Sequence, residues 1–145
     1  MPEKETLERA HRDKQEGKSA STQAGEFVRE EMDHIREGKH GAKNTKQAIA
    51  IGLNKARKAG VKLKPPKRGS AKTKASAKSA SRRAGKKTSA TRSRAVSGAL
   101  KKMPKSAASH SALSKQAKSA ARKRSPASRS AAAKRAARTR KREAA

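Results

Sequence analysis

Most of the positive charge of this chain lies in its second half, where few residues could form a core. Residues 67–145 contain 26 Lys and Arg but one acidic residue, Glu143, which gives them a net charge of +25. Residues 1–66 contain 15 Lys and Arg and 10 acidic residues, a net charge of only +5. The double proline Pro65-Pro66 stands where the composition changes, and two prolines end a helix and stiffen the backbone that follows. We therefore place a boundary between two different kinds of segment at this point.

The basic segment is poor in residues that could build a core. It has no aromatic residue, and its large apolar side chains are limited to Val96, Leu100, Met103 and Leu113. Burial of so little apolar surface does not offset the entropy lost on folding. We predict that residues 65–145 form a disordered tail of low complexity. The segments 111–124 and 127–142 are rich in helix-forming Ala, Lys and Arg, and we expect them to become helical only when an anion neutralises their charge.

Local signals predict helices in the first 64 residues. Residues 3–16 combine helix formers with a single large apolar residue, which indicates a solvated or frayed helix outside the core. Residues 21–37 place Val28, Met32 and Ile35 on one helical face, and Gly38 marks the end. The helix at 45–59 begins after the N-cap residue Asn44 and ends before Gly60, where a left-handed residue is favoured.

These elements predict a mostly α protein: a short helical hairpin, with an additional N-terminal helix, followed by the disordered tail. The domains are a charged N-terminal helix and linker at 1–20, a hairpin module at 21–64 and the basic tail at 65–145. A module this small usually needs a staple or a partner for stability, so residues 22–64 are a predicted surface for self-association or protein binding. Its predicted core is Phe27, Val28, Met32, Ile35, Ile49, Ile51, Leu53 and Val61.

A net charge of +30 favours a polyanionic partner. Phosphate neutralisation releases condensed counterions, so binding follows from charge alone and weakens steeply with salt. The absence of aromatic residues from the tail disfavours stacking on unpaired bases and favours duplex DNA over RNA. We predict a histone-like DNA-binding protein that does not read base sequence. The predicted nucleic-acid-binding residues are Lys46, Lys55, Arg57, Lys58, Arg82, Arg83, Lys86, Lys87, Lys101, Lys102, Arg122, Lys123, Arg124, Lys134, Arg135, Arg138, Arg140, Lys141 and Arg142.

Two other functions remain open from the sequence. The chain could be a basic protein that associates with RNA or the ribosome, or an interaction module whose tail only supplies charge. Enzymatic activity is disfavoured, because no pocket-forming core surrounds the acidic residues. The N-terminus has no apolar signal region and no stretch is long and apolar enough for a membrane span, so we expect a cytoplasmic protein at the bacterial nucleoid.

No metal ion or other cofactor is predicted. The chain has no Cys, which excludes thiolate ligands. His34 and His40 lie near Asp33 and Glu37 in the sequence, but their spacing matches no common metal-binding pattern. We expect all four of these side chains to be exposed.

Residues 32–64 contain the segment Gln47-Ala48-Ile49-Ala50-Ile51-Gly52-Leu53, followed by Ala56-Arg57 and Gly60. This pattern, together with the preceding Met-x-x-Φ-x-x-Gly-Lys, resembles a family of small basic bacterial proteins of unknown function. The resemblance covers about a quarter of the chain and implies a bacterial origin without implying an activity. In composition only, the tail resembles linker-histone tails and bacterial histone-like proteins, which implies DNA compaction.

Overall fold

The computed structural model describes residues 1–67 and 69–144. Within them the regular secondary structure consists of seven α-helices and one 3-10 turn, with no strand. The chain divides into two compact units, Met1–Ser109 and His110–Ala145. The helices are α1 (Lys4–Gln15), α2 (Ala20–Glu37), α3 (Thr45–Lys58), α4 (Ala71–Arg82), α5 (Ala90–Lys101), α6 (His110–Arg122) and α7 (Pro126–Glu143), and the 3-10 turn is Lys105–Ala108.

The predicted disordered tail is wrong. The four helices α4, α5, α6 and α7 all lie in the segment 65–145. Arg68 and Ala145, which the predicted tail includes, lie outside the described residues. The prediction gave too much weight to repulsion between cations, which costs only about 0.2–0.5 kcal/mol for each like-charged i,i+4 pair on a helix. The high helix propensity of Ala, Lys and Arg then decides the backbone conformation.

Serine side chains also define where two of these basic helices, α4 and α7, begin. The Ser70 hydroxyl accepts a hydrogen bond from Thr73 N at 3.2 Å at the start of α4. The Ser125 hydroxyl accepts one from Ser128 N at 3.2 Å, and Pro126 follows in the first turn of α7. Such caps satisfy N–H groups that a helix start leaves unpaired. Ser125-Pro126 is therefore the start of a helix.

Helices α2 and α3 form an antiparallel pair, with Ala24 near Ala56 and Val28 near Gly52. The predicted helix boundaries are close to the observed ones, although Ser19 caps α2 two residues earlier than expected. Gly52 allows the two backbones to approach closely, because a Cβ atom at this position would lie 2.7 Å from the Cα of Val28. Gly52 is the one glycine of α3, and it lies at the point where α2 and α3 meet.

Asn44 caps α3 as predicted, accepting from Gln47 N at 2.9 Å. The Gln47 side chain accepts from the backbone N–H of Lys43, one residue before the N-cap residue that a standard capping box would use. Gly60 has a φ of 93°, and Val61 N donates to Ala56 O at 3.0 Å. This 6→1 bond is the C-terminal closure that the Gly60-Val61 pair predicts.

The core consists mainly of small residues. Of the eight predicted core side chains, Phe27, Met32 and Ile35 are buried, and the other five are only partly buried. Helix α1 was expected outside the core, yet its Ala10 packs in one cluster with Phe27 and two alanines of α2 and α3. Apolar size is therefore an incomplete guide here, since the close approach of helices buries alanine fully. The buried alanines are Ala10, Ala24, Ala42, Ala48, Ala56, Ala107 and Ala108.

The segment from Leu100 to Ala108 returns to the α2–α3 pair and closes it. Ala107 and Ala108 are buried there, so this part of the predicted tail belongs to the folded unit. The contact of this segment with the α2–α3 pair includes four hydrogen bonds: Gly41 N to Leu100 O (2.9 Å), Ala42 N to Pro104 O (3.1 Å), Thr45 Oγ1 to Ala107 O (2.7 Å) and Arg36 Nε to Ala108 O (3.1 Å).

Within the described part of the chain, none of the helices combines the length and the hydropathy that a bilayer crossing requires.

Candidate functional site

Most of the predicted nucleic-acid-binding residues are exposed. Two of the exposed ones lie on α3, and the others are found at the ends of α4, α5 and α6, in the α4–α5 connection and on α7. No Asp or Glu stands between Glu37 and Glu143 in the sequence, and among the described residues all ion pairs fall within the first 55 residues. The exposed members of the predicted set are Lys46, Lys58, Arg82, Arg83, Lys86, Lys87, Lys101, Lys102, Arg122, Lys123, Arg124, Lys134, Arg135, Arg138, Arg140, Lys141 and Arg142.

Helix α7 arranges most of its cations along one side. At 100° per residue, the positions i, i+1, i+4, i+7 and i+8 lie on one face of a helix. The opposite side carries alanines together with the two remaining cations of the helix, Arg129 and Arg140. The five members of this α7 stripe are Lys134, Arg135, Arg138, Lys141 and Arg142.

A second stripe lies on α6, and the sequence analysis missed two of its members. Lys115, Lys118 and Arg122 follow one another at intervals of three and four residues, so they share a face. Together with Ser119 and Lys123 they line a shallow surface groove. The spacing of Lys115 and Lys118 indicates a shared helical face, but this pattern predicts nothing in a segment that is expected to be disordered.

Lys55 and Arg57 differ from the other predicted residues, because both are partly buried. The Lys55 Nζ atom lies 3.3 Å from Glu30 Oε1 and 2.8 Å from Glu31 Oε2. Arg57 directs one guanidinium N–H toward Leu53 O at 3.4 Å, and its Nε is buried. These two side chains are therefore committed to contacts inside the protein and are not part of its exposed cationic surface.

Lys55 belongs to a network of charged side chains that joins α2, α3 and the N-terminus. Glu31 is completely buried, and His34 and His40 are only 12% and 17% exposed, so our expectation of exposed histidines is wrong. Asp33 and Glu37 instead pair on the surface with Arg36 and Lys39. The order of contacts is Glu37–Lys39 (3.0 Å), Lys39–Glu3 (3.0 Å), Glu3–His34 (2.8 Å), His34–Glu30 (3.8 Å), Glu30–Lys55 (3.3 Å), Lys55–Glu31 (2.8 Å) and Glu31–His40 (3.2 Å).

The outer end of this network strongly favours the ionised form of Glu3. A hydrogen bond with the His34 ring, followed by one from Lys39, lowers the pKa of Glu3 to about 2. The pKa of Lys39 is raised for the converse reason, first by Glu3 and then by Glu37. Both side chains are about half exposed, so solvent screens these interactions and they contribute little to stability.

The inner end of the network is less well satisfied. Lys55 and His40 lie within ion-pair distance of Glu31, yet neither carboxylate oxygen has a hydrogen bond of good geometry. The distances and the hydrogen-bond geometry therefore disagree, and the contacts are best described as electrostatic. A fully buried carboxylate is costly unless opposite charge and hydrogen bonds compensate it. Glu31 lacks the hydrogen bonds, so the contacts within the first unit do not fully offset the cost of its burial.

Comparison of the chain with protein-family models, with characterised proteins and with solved structures gave no significant match. The resemblance to small basic bacterial proteins stays a prediction, and the function has to be argued from the charges and the geometry alone.

Proposed function

We propose that this protein binds duplex DNA through the phosphate backbone, without reading base sequence, and that the exposed cations of α4 to α7 carry the interaction. The observation that carries this proposal is the absence of any carboxylate between Glu37 and Glu143, over a stretch that contains most of the Lys and Arg residues. Without carboxylates nearby in the chain, these cations interact mainly with water and mobile anions. A polyphosphate replaces those ions and releases counterions of its own, which is the main driving force of non-specific binding.

The helical conformation supports the proposal further. A disordered tail loses conformational entropy when it is ordered on a duplex, whereas a formed helix has already lost most of it. Helix α7 has 18 residues, so at about 1.5 Å per residue it extends for about 27 Å. DNA presents a phosphate charge every ~1.7 Å of its axis, and the α7 stripe therefore meets several phosphates at once.

Base readout is not part of this proposal. Single-stranded nucleic acids are usually held by aromatic side chains that stack on the bases. Phe27 is the only aromatic residue of the chain, and it is 1% exposed in the core. Backbone contacts to a duplex are the mode that remains for the cationic helices. In a bacterium such a protein would be found on the nucleoid.

The test is a binding assay on the full-length chain with five charges removed. Changing the five residues of the α7 stripe to Gln retains helix propensity and lowers the net charge by five. We expect the affinity for a labelled duplex at ~0.15 M salt to fall by at least about tenfold. Circular dichroism must show that the helix content is unchanged. The variant is Lys134→Gln, Arg135→Gln, Arg138→Gln, Lys141→Gln and Arg142→Gln.

A matched control removes five exposed cations from the first 64 residues and should weaken binding much less. Two duplexes of unrelated sequence should bind the wild-type protein equally. Equal losses in the two variants would contradict the assignment to the basic helices, and tighter binding to a structured RNA at the same salt concentration would contradict the choice of DNA. The control variant is Arg12→Gln, Arg29→Gln, Lys43→Gln, Lys62→Gln and Lys64→Gln, all at positions that are exposed.

A further inference from the structure

The buried end of the charged network brings together three groups that can act as metal ligands. Glu31 and His34 are three residues apart on α2, so they share a face of the helix. The same Glu-x-x-His spacing supplies metal ligands in helical bundles. His40 follows the left-handed Gly38, after which the chain turns back, and its ring lies edge-on to that of His34 at 6.3 Å between centroids. One ligand atom from each of the three residues lies within 4.8 Å of the other two.

The orientation of His40 is set by its neighbour in the chain. Its Nδ1 atom is 3.1 Å from the carbonyl oxygen of Gly41. A carbonyl can only accept a hydrogen bond, so Nδ1 carries the proton and the lone pair of the neutral ring is on Nε2. That Nε2 atom faces Glu31 Oε1 at 3.2 Å. A lone pair directed at a carboxylate is repulsive unless a positive charge stands between them, and metal-bound histidines commonly hold their second ring nitrogen in this way.

The spacing of Glu31 and His40 suits a small transition-metal ion. Bonds of about 2.0 Å in tetrahedral geometry place neighbouring ligand atoms about 3.3 Å apart. The separation of His40 Nε2 and Glu31 Oε1 already has this value within a tenth of an ångström. Lys55 contacts the other oxygen of Glu31, Oε2, and so leaves Oε1 for the ion.

The charge of the network points the same way. Glu3, Glu30, Glu31 and Glu37 contribute four negative charges, while Lys39 and Lys55 contribute two positive charges. With neutral histidines the network has a net charge of −2, and one divalent ion makes it neutral. Glu31 is the member that needs this compensation most, because it is fully buried and neither of its oxygens has a hydrogen bond of good geometry.

We propose that Glu31, His34 and His40 bind one divalent transition-metal ion of the Zn²⁺ class, which ties the α2–α3 connection to α2. Two imidazoles and one carboxylate suit Zn²⁺ and its neighbours, whereas Mg²⁺ and Ca²⁺ prefer oxygen ligands alone. The role is structural. A core built mainly of alanine gains from a link of this kind, because small domains often depend on a metal or a disulfide and this chain has no Cys.

The experiment uses the full-length protein after dialysis against a chelator. Calorimetric titration with ZnCl₂ should show saturable binding of one ion per chain with micromolar or tighter affinity, and the thermal midpoint should rise. Titration with CoCl₂ should give the visible absorption bands of a tetrahedral site. The His40→Asn variant should lose the bands and the upward shift of the midpoint.

Two further variants separate a site from surface binding. His34→Asn should behave like His40→Asn, which guards against a folding defect peculiar to one substitution. His110→Asn, at an exposed residue on α6, should bind as tightly as the wild type. The absence of saturable binding to the wild type would overturn the proposal, as would wild-type affinity in a folded His40→Asn protein. In either of those cases the three residues form only the network of electrostatic contacts described above.

Discussion

Replacement of Gly52 by Ala tests how closely α2 and α3 pack. A Cβ atom at this position would lie 2.7 Å from Val28 Cα and 3.0 Å from Phe27 O, both of which are backbone atoms that no rotamer change can move. The helices would have to separate by roughly 1 Å, and overpacking of this kind typically costs about 1–3 kcal/mol. Against this stands a gain of about 0.5–1 kcal/mol, because Ala favours a helix over Gly.

Gly25 provides the matched control for this substitution. It lies inside α2, and a Cβ atom there would meet nothing within 4 Å. Both changes gain the same helix propensity, so the difference between them isolates the steric cost. We expect Gly25→Ala to be more stable than Gly52→Ala by about 1–3 kcal/mol. The chain has no Trp or Tyr, so urea unfolding should be followed by far-UV circular dichroism. Equal stability of the two variants would refute the close helix contact.

Two further substitutions examine the buried polar groups of the first unit. Thr45→Val removes the hydroxyl that donates to Ala107 O at 2.7 Å, so that this hydrogen bond is lost. Urea unfolding should therefore show a free energy of unfolding lower by about 1–3 kcal/mol. Amide exchange in the 3-10 turn should become faster, and unchanged exchange there would contradict the contact. Lys55→Met takes the ammonium group away from the buried Glu31, which should cost about 3 kcal/mol, whereas Lys58→Met at an exposed position should be nearly neutral in the same assay.

The first half of the fold could be predicted because its signals are local. Asn44, Gly38 and Gly60 fix helix ends through contacts within a few residues, and the structure has these ends where the sequence places them. The burial of Ala107 could not be predicted, because its partner Thr45 is 62 residues away and nothing distinguishes this alanine from the many others in the segment. Hydropathy scales assign alanine little weight, although close helix packing buries it completely.

The basic helices were missed for a related reason. The prediction of disorder rests on the lack of large apolar residues, because such residues are needed to build a tertiary core. Helix α7 contains no buried residue, so its helical state does not depend on a core. Its helical state follows from local propensity and from the Ser125 cap. From the sequence, we grouped His34 and His40 with Asp33 and Glu37, which are nearest to them along the chain, and predicted no metal ion. Glu31 reaches His40 only because the turn after Gly38 brings the chain back over α2.

The salt dependence of DNA binding by the full-length protein shows whether phosphate neutralisation drives the interaction. If about ten exposed cations contact phosphates, a plot of log affinity against log salt concentration should have a slope near −9. The measurement is a fluorescence anisotropy titration of one labelled duplex over a tenfold range of KCl. A slope near this value supports binding by phosphate neutralisation. A slope close to zero, or no binding at the lowest salt concentration, would contradict it.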